Sequence, residues 1–121
     1  IMTPGIPDKK LVYMVTRTYY KPLLEAGVRI FEYSPGFLHA KSCISDDKYC
    51  VIGSINLDFR SLYLHFENGA MYYDSHIISD LKEDFLQMQS QSREIFSRQL
   101  ESQSVFRKII SVILKVFSPM I

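Results

Sequence analysis

Six positions between residues 39 and 56 carry side chains and spacing suited to phosphate chemistry. They follow the pattern H-x-K-x4-D-x6-G-S-x-N and are His39, Lys41, Asp46, Gly53, Ser54 and Asn56. An imidazole can act as a nucleophile or as a general acid near neutral pH. A lysine ammonium places positive charge where phosphoryl oxygens are negative, and a hydroxyl and a carboxamide add neutral hydrogen-bond donors. Together these groups are suited to binding and cleaving a phosphate diester.

β-Strands are the elements that would bring these side chains together. If His39 and Lys41 lie on a β-strand, their side chains point to the same face, because residues i and i+2 of a strand do so. Ser54 and Asn56 share a face on the same condition. Gly53 is predicted to end the second strand and to allow close approach of another backbone segment.

A β-hairpin is predicted between the two halves of the pattern. Asp46 and Asp47 are turn formers, and a second strand is predicted over residues 48–52. A two-residue loop at these aspartates would place Cys43 opposite Cys50. Two cysteines do not form a disulfide framework, and we expect two free, buried thiols, although facing strands would make a bridge geometrically possible.

The pattern reproduces the HKD signature of the phospholipase D superfamily. The segments RTYYKPLLEAGVRIFEYSPGFLHAK upstream and SINLDFRSLYLHFENGAMYYD downstream resemble the second half of bacterial cardiolipin synthases, and the ending VILKVFSPMI is similar to their C-terminus. The resemblance covers essentially the whole chain. Because that family carries two HKD motifs and N-terminal transmembrane helices, the resemblance implies that this chain corresponds to a C-terminal half.

The resemblance implies a phosphatidyltransferase that makes cardiolipin and glycerol from two phosphatidylglycerol molecules. The reaction would pass through a phosphohistidine and use no metal or other cofactor, and the sequence offers no cluster of metal ligands. The histidine of the N-terminal motif is usually the nucleophile, so His39 would be the general acid and base. Lys41, Ser54 and Asn56 would hold the phosphate.

The same resemblance implies roles for two acidic residues. Glu67 fits the acidic position that the superfamily carries after G-S-x-N, and its carboxylate would hold an imidazole in one tautomer. Whether it serves His39 or the histidine of the other half stays open. Asp46 belongs to the motif by name, but its place in a turn implies a structural role. For Arg60 we favour a local ion pair with Asp58 over orientation of a lipid headgroup.

The expected fold is α/β, with a mixed β-sheet flanked by helices, as in one phospholipase D-like half with a single HKD motif. We predict a catalytic domain over residues 1–103 and an amphipathic helix over residues 104–121. Within the first, the periodicity predicts a helix broken near Tyr20, a second long helix and short strands. The predicted bounds are helices 9–26 and 76–100 and strands 28–33 and 70–74, besides the hairpin and a truncated strand over residues 1–6.

The last segment is apolar except for a narrow polar stripe of serines and lysines. It is too short to span a bilayer. It could lie in the membrane interface, pack across the domain, or pack onto the missing half, and the sequence leaves these three possibilities open. The stripe consists of Ser104, Lys108, Ser111, Lys115 and Ser118.

Composition limits the classes of partner. The 121 residues are 47% hydrophobic and 22% charged, which fits one globular domain. The net charge of +1 gives no electrostatic reason to expect nucleic acid. The expected partners are phosphatidylglycerol, the membrane surface, and the N-terminal HKD half or a second copy, with the catalytic domain on the cytoplasmic side of the cell membrane.

Two other functions are compatible with the sequence. One is a single-motif phosphodiesterase or nuclease of the same superfamily that acts as a homodimer. The other is a lipid-interface module without catalysis. Salt-dependent DNA binding would indicate the first, and vesicle binding without turnover would indicate the second.

Overall fold

The computed structural model describes residues 1–101. The predicted helix 104–121 and the predicted domain boundary after residue 103 lie outside these residues. The mixed α/β class is confirmed. The elements are β1 (Met2–Pro4), α1 (Lys10–Thr18), α2 (Tyr20–Glu25), β2 (Ile30–Tyr33), β3 (Ser42–Ser45), β4 (Tyr49–Gly53), α3 (Phe59–Tyr63), β5 (Gly69–Tyr73), α4 (His76–Ser90), β6 (Ser92–Ile95) and α5 (Ser97–Glu101).

The chain divides into two compact units. Within the described residues, the first unit contains residues 1–38 and 91–101, and the second contains His39–Ser90. Each unit has a three-stranded sheet of its own, with the order β1-β2-β6 in the first and β3-β4-β5 in the second. The six strands of the described residues are therefore divided between two separate sheets, three in each.

The first unit is built on β2, which pairs in parallel with β1 and antiparallel with β6. Apolar side chains from α2, β2, β6 and α5 form its core, with partly buried neighbours packed against them. The buried members are Tyr20, Ile30, Ile95 and Leu100, and the neighbours are Leu23, Leu24 and Val28. Helices α2 and α5 thus contribute to the core of this sheet.

The predicted break near Tyr20 is confirmed. Helix α1 ends at Thr18 and α2 begins at Tyr20. Pro22 has no N–H to donate to the carbonyl of Thr18, so one continuous helix would lose a hydrogen bond there. In α2 the same proline lies in the first turn, where the N–H groups have no partner within the helix. Gly27, with φ of +85°, ends α2 as predicted.

The predicted long helix 76–100 is wrong beyond Ser90. Residues Ser92–Ile95 form β6 instead and pair with β2, which places Ile95 opposite Ile30. Glu32 is only 2% exposed, and Arg93 Nη2 donates to its Oε2 at 2.6 Å. Burying Ile95 and pairing a buried carboxylate favour the strand over the local helical pattern.

The second unit contains the predicted hairpin, with a register one residue different from the prediction. Asp46 and Asp47 both have left-handed φ, near 54°, which aspartate tolerates better than most residues. Lys48 N–H donates to Ser45 O at 3.0 Å, but Tyr49 is the residue opposite Ser45. Lys48 is thus an extra loop residue, whose carbonyl accepts from Asp74 N–H at 2.9 Å.

The shifted register separates the two cysteines. Cys43 lies opposite Val51, and Cys50 lies opposite Ile44. Residues that face each other across an antiparallel pair share a face, so a shift of one residue sends the two thiols to opposite faces. Both thiols are free as predicted, but Cys43 is exposed rather than buried, whereas Cys50 is buried.

Helix α4 follows β5 in the second unit. Lys82 Nζ contacts Asp47 Oδ2 at 2.5 Å, so a charged pair links this helix to the hairpin loop. In the part of the chain that the structure describes, no helix is long and apolar enough to cross a bilayer.

Candidate functional site

Three segments of the second unit meet at one end of its sheet. Gly53 N–H, at the end of β4, donates to Lys41 O at 3.0 Å, just before β3. Ser54 N–H donates to Asn68 O at 2.8 Å, just before β5. Because β4 is the central strand, these two bonds bring the H-x-K, G-S-x-N and Glu67-Asn68 segments side by side.

Gly53 is the position at which this convergence requires a residue without a side chain. It faces Gly69 in the β4–β5 register. A Cβ added to Gly53 would collide with Asn68 O and with Gly69 Cα. The predicted close backbone approach at Gly53 is therefore present, and its partner is the strand that follows Glu67.

The first half of the motif lies before a strand rather than on it. His39 is exposed, Lys41 is half-buried, and β3 begins only at Ser42. His39 and Lys41 are therefore not strand residues, so the prediction that a β-strand directs their side chains to one face is wrong. Lys41 Nζ donates to His39 O at 2.7 Å, so the ammonium folds back toward the histidine backbone.

Ser54 and Glu67 are in direct contact. Ser54 Oγ donates to Glu67 Oε2 at 2.5 Å and accepts from Asn68 N–H at 3.0 Å. The hydrogen bond from the Ser54 hydroxyl is the main cause that holds the pKa of Glu67 below its usual value, with smaller contributions from Ser61, His65 and Lys41. Glu67 is therefore an anchored carboxylate that stays ionised at neutral pH.

Asn56 is hydrogen-bonded to a serine of α3. Asn56 Nδ2 donates to Ser61 Oγ at 3.3 Å. Asp58 is the N-cap of α3, and its Oδ1 accepts from Ser61 N–H at 2.7 Å, which fixes the start of the helix. The Ser61 hydroxyl thus holds the Asn56 carboxamide against the start of α3.

Asp46 lies away from the other predicted site residues, and Arg60 has a different partner from the one predicted. Asp46 lies in the hairpin loop, at the other end of β3 from Lys41 and about 16 Å away along an extended strand. Its Oδ2 accepts from Ser45 Oγ at 3.1 Å. Arg60 Nε donates to His65 Nε2 at 2.9 Å, so the favoured ion pair of Arg60 with Asp58 is wrong.

Sequence reasoning missed Ser61 and Asn68. Asn68 acts through its backbone carbonyl and N–H, which any residue type could supply, so no sequence signal marks it. Ser61 follows Asp58 at the spacing of an N-cap and the third helical residue. That spacing predicts a short helix but not the contact of the Ser61 hydroxyl with Asn56. The contact depends on how the loop after β4 folds, which the local sequence does not reveal.

The arrangement combines groups that can bind an anionic diester. An ammonium, a hydroxyl and a carboxamide are tied to one end of a sheet, with an ionised carboxylate among them. A shallow depression of about 390 Å³ opens beside Gly53, Ser54 and Asn68. Among residues 1–101, no group of three or more His, Cys, Asp or Glu side chains is arranged to hold a metal ion.

Comparison with known proteins identifies the family. The family model described as "Cardiolipin synthase, PLD-like domain" matches residues 1–89. An uncharacterized protein of Streptococcus mutans serotype c is 42% identical over all 121 residues, which cover 26% of that protein. Cardiolipin synthase 2 of Bacillus cereus is 37% identical and a cardiolipin synthase of a Geobacillus species is 36% identical, each over the whole chain and 24% of the relative.

The chain spans about a quarter of the length of the curated relatives that it matches. No solved structure matches it. The family model covers most of the chain and includes every residue of the candidate site. The chain therefore belongs to the cardiolipin synthase family of phospholipase D-like domains.

Proposed function

We propose that this chain forms the C-terminal catalytic half of a phosphatidyltransferase of the cardiolipin synthase type. The reaction moves a phosphatidyl group from one phosphatidylglycerol molecule to another and yields cardiolipin and glycerol. The site lies at a membrane surface on the cytoplasmic side, and the other half of the site comes from an N-terminal HKD half or from a second copy of the chain.

The convergence of three segments at one end of the β3-β4-β5 sheet carries the proposal. Two backbone bonds, from Gly53 N–H to Lys41 O and from Ser54 N–H to Asn68 O, align the H-x-K segment with Ser54 and the chain at Glu67. Lys41, Ser54 and Asn56 then supply positive charge and neutral donors for the phosphoryl oxygens. The proposed role of Glu67, which accepts a hydrogen bond from Ser54, is to orient an imidazole.

In the first step, a histidine of the other half attacks phosphorus and forms a P–N bond. The P–O bond to glycerol breaks, and His39 gives its proton to the leaving glycerol oxygen. In the second step, His39 removes the proton from a hydroxyl of the acceptor phosphatidylglycerol. That oxygen attacks phosphorus, and the P–N bond breaks to regenerate the free histidine.

A lipid substrate is supported by the surface next to the site. The segment from residue 57 to residue 66 follows Asn56 directly and precedes Glu67. It exposes large apolar side chains: Leu57 is 81% and Tyr63 is 72% exposed, and Phe66 is fully exposed. We name this set the 57–66 surface; its members are Leu57, Phe59, Leu62, Tyr63, Leu64 and Phe66. Contiguous exposed apolar side chains mark surfaces that bind lipid or protein.

The decisive experiment is a chimera, because the chain aligns with one continuous quarter of a relative. This chain replaces the matching residues of cardiolipin synthase 2 of Bacillus cereus, and cardiolipin formation from phosphatidylglycerol vesicles is measured. The chimera is expected to be active. His39→Ala is expected to lower its rate roughly 100- to 10,000-fold, the usual contribution of general acid–base catalysis.

His76→Ala is the matched control, because His76 is an exposed histidine at the start of α4, outside the site. It is expected to leave the rate unchanged. A folded chimera without activity, or one that His39→Ala leaves fully active, would contradict the proposal.

The isolated 121-residue chain is expected to form little cardiolipin, because it holds one histidine of the pair. Activity that survives stringent purification and disappears in His39→Ala would instead assign the second histidine to another copy of the chain.

A further inference from the structure

We propose that Arg60 and His65 form a binding site for the phosphate diester of an anionic phospholipid, separate from the groups proposed to hold the reacting phosphate. The inference rests on the proposed function and deepens it, because it names what the 57–66 surface recognises. Its test is a binding measurement, which does not require the chain to be catalytically active.

The two residues are held together by side-chain and backbone contacts. Arg60 Nε donates to His65 Nε2 at 2.9 Å, and His65 N–H donates to Arg60 O at 2.9 Å. Both residues are exposed. Because the side-chain hydrogen bond uses Nε alone, it orients the guanidinium and leaves the two terminal nitrogens, Nη1 and Nη2, to donate to a ligand.

The pair carries one positive charge that no carboxylate balances. Among residues 1–101, the ion pairs are formed by basic residues other than Arg60. A guanidinium only donates, so His65 Nε2 accepts, and the imidazole in this contact is neutral with its proton on Nδ1. A phosphate diester carries one negative charge, and the fork of an arginine matches two of its oxygens. The charge and the geometry of the pair thus suit a phosphate diester.

The neighbouring side chains favour a lipid as the source of that phosphate. Tyr63 is 72% exposed and Phe66 is fully exposed, and the rings of Phe59 and Tyr63 pack with centroids 4.9 Å apart. Large apolar side chains with a basic group among them enter the acyl boundary of a membrane, while the charged group stays at the level of the phosphates. A water-soluble phosphate diester would leave these apolar side chains in water.

The pair lies beside the groups proposed to hold the reacting phosphate. Ser61, the residue after Arg60, accepts from Asn56 Nδ2 at 3.3 Å, and His65 is separated from Glu67 by Phe66 alone. Two phosphatidylglycerol molecules meet in the proposed reaction, and only the phosphate of the donor reacts. The phosphate assigned to Arg60 is therefore that of the acceptor.

The test is binding of the 121-residue chain to phosphatidylcholine vesicles with and without phosphatidylglycerol. Arg60→Gln is expected to weaken binding to the phosphatidylglycerol vesicles about fivefold, the usual effect of one basic residue at an anionic membrane, and to leave binding to pure phosphatidylcholine unchanged. His65→Ala, which removes a neutral imidazole, is expected to weaken binding in the same direction because the guanidinium loses its orientation. His65→Gln, whose side-chain oxygen can accept the same bond, is expected to retain wild-type binding.

Lys48→Gln is the matched control, because Lys48 is an exposed lysine of the hairpin loop, at the other end of β4 from Ser54. It removes the same charge and is expected to leave binding unchanged. Equal losses in Lys48→Gln and Arg60→Gln would overturn the proposal, as would full binding by Arg60→Lys, because a lysine supplies the charge without the fork. Displacement of the chain from vesicles by an equal concentration of soluble glycerophosphoglycerol would overturn the assignment to lipid.

The consequence for turnover is measured in the chimera. Arg60→Gln is expected to raise KM for phosphatidylglycerol about fivefold, with a smaller effect on kcat, because the guanidinium binds the acceptor away from the reacting atoms. A chimera that is inactive in all forms would refute the proposed function, while vesicle binding would still decide whether Arg60 and His65 hold a lipid phosphate.

Discussion

Ser54 performs two tasks with one hydroxyl. Its oxygen accepts from Asn68 N–H, and its proton goes to Glu67. The first contact fixes the serine against the chain before β5, and the second keeps Glu67 ionised. A donor of this kind also suits a phosphoryl oxygen. We expect substrate binding to require that Ser54 redistribute these hydrogen bonds.

Glu67 gives the fold a predictable dependence on pH. Its pKa is lowered in the folded state chiefly by the hydrogen bond from Ser54, whereas its ordinary value is about 4.5. Its contribution to the free energy of unfolding is thus complete above pH 4.5 and is lost as the pH falls through the folded-state pKa. Glu67→Gln keeps an acceptor oxygen but cannot titrate.

Urea unfolding between pH 3 and pH 7 is expected to show a steeper loss of stability on acidification for the wild type than for Glu67→Gln. Because all other carboxylates are common to both proteins, the difference between the two curves belongs to Glu67. Parallel curves would contradict the contacts described for this carboxylate.

Tyr20 is expected to make the stability of the fold depend on pH in the alkaline range. Burial is the main cause that raises its pKa to about 12, and its hydroxyl shares a 2.8 Å hydrogen bond with Thr3 Oγ1. The folded chain therefore retains the Tyr20 proton between pH 10 and pH 12, where the unfolded chain loses it, so stability falls as the pH rises through this window.

Tyr20→Phe is expected to lose about 1 kcal/mol at neutral pH, from one hydrogen bond. It is also expected to lose less stability than the wild type between pH 10 and pH 12, as measured by chemical unfolding. Equal slopes for the two proteins in this range would show that burial of the Tyr20 phenol does not govern its ionisation.

At the scale of the elements, the end of the β3-β4-β5 sheet depends on Gly53. Any Cβ there meets Asn68 O and Gly69 Cα, which belong to the neighbouring backbone and cannot rotate away. The strands must then separate at the point that aligns Lys41, Ser54 and Glu67. Gly53 therefore links the stability of the sheet to the geometry of the site.

Gly53→Ala is expected to lower the free energy of unfolding by about 1–3 kcal/mol, the usual cost of inserting a methyl group into a packed position. Gly36→Ala is the matched control, because a Cβ at Gly36 would have its nearest neighbour, Tyr33 Cε1, at 3.9 Å. That change is expected to stay within about 0.5 kcal/mol of the wild type. Equal denaturation midpoints for the two variants would contradict the close approach at Gly53.

At the scale of the whole molecule, the 57–66 surface exposes several large apolar side chains next to the site. Phe59 and Tyr63 stack their rings on one side of α3, with centroids 4.9 Å apart. Arg60 and His65, which hydrogen-bond each other, lie within the same segment. Aromatic and leucine side chains beside a basic group favour the interface of an anionic membrane.

Phe66→Ser is expected to weaken binding of the 121-residue chain to phosphatidylglycerol vesicles about tenfold, because one large apolar side chain is withdrawn from the interface. Leu86→Ser is the control, since Leu86 is an exposed leucine of α4 outside this surface. Vesicle co-sedimentation gives the affinities. Equal binding of both variants and the wild type would show that lipid does not contact this surface.

Sedimentation velocity distinguishes two possible binding partners of the 57–66 surface, which are lipid and a second copy of the chain. If the chain dimerises and Phe66→Ser makes it monomeric, the surface is an interface between copies, and the site is completed by two chains.

The sequence by itself predicted the candidate site residues, and it determined much of the local structure. The spacing from His39 to Asn56 predicts a set of groups suited to binding phosphate, without knowledge of their positions. Pro22 and Gly27 mark a helix break and a helix end because proline lacks an N–H and glycine accepts positive φ. These properties belong to single residues, so they are visible in the chain alone.

Tertiary structure decided whatever depends on contacts between distant residues. Residues 92–95 have a helical local pattern, yet they form β6 because pairing with β2 buries Ile95 and places Arg93 against Glu32. The hairpin register depends on Lys48, whose carbonyl bonds to Asp74 across the sheet. Ser61 contacts Asn56 only because the loop after β4 folds back onto the start of α3. Each outcome rests on a partner at least five residues away in the chain, which local pattern cannot specify.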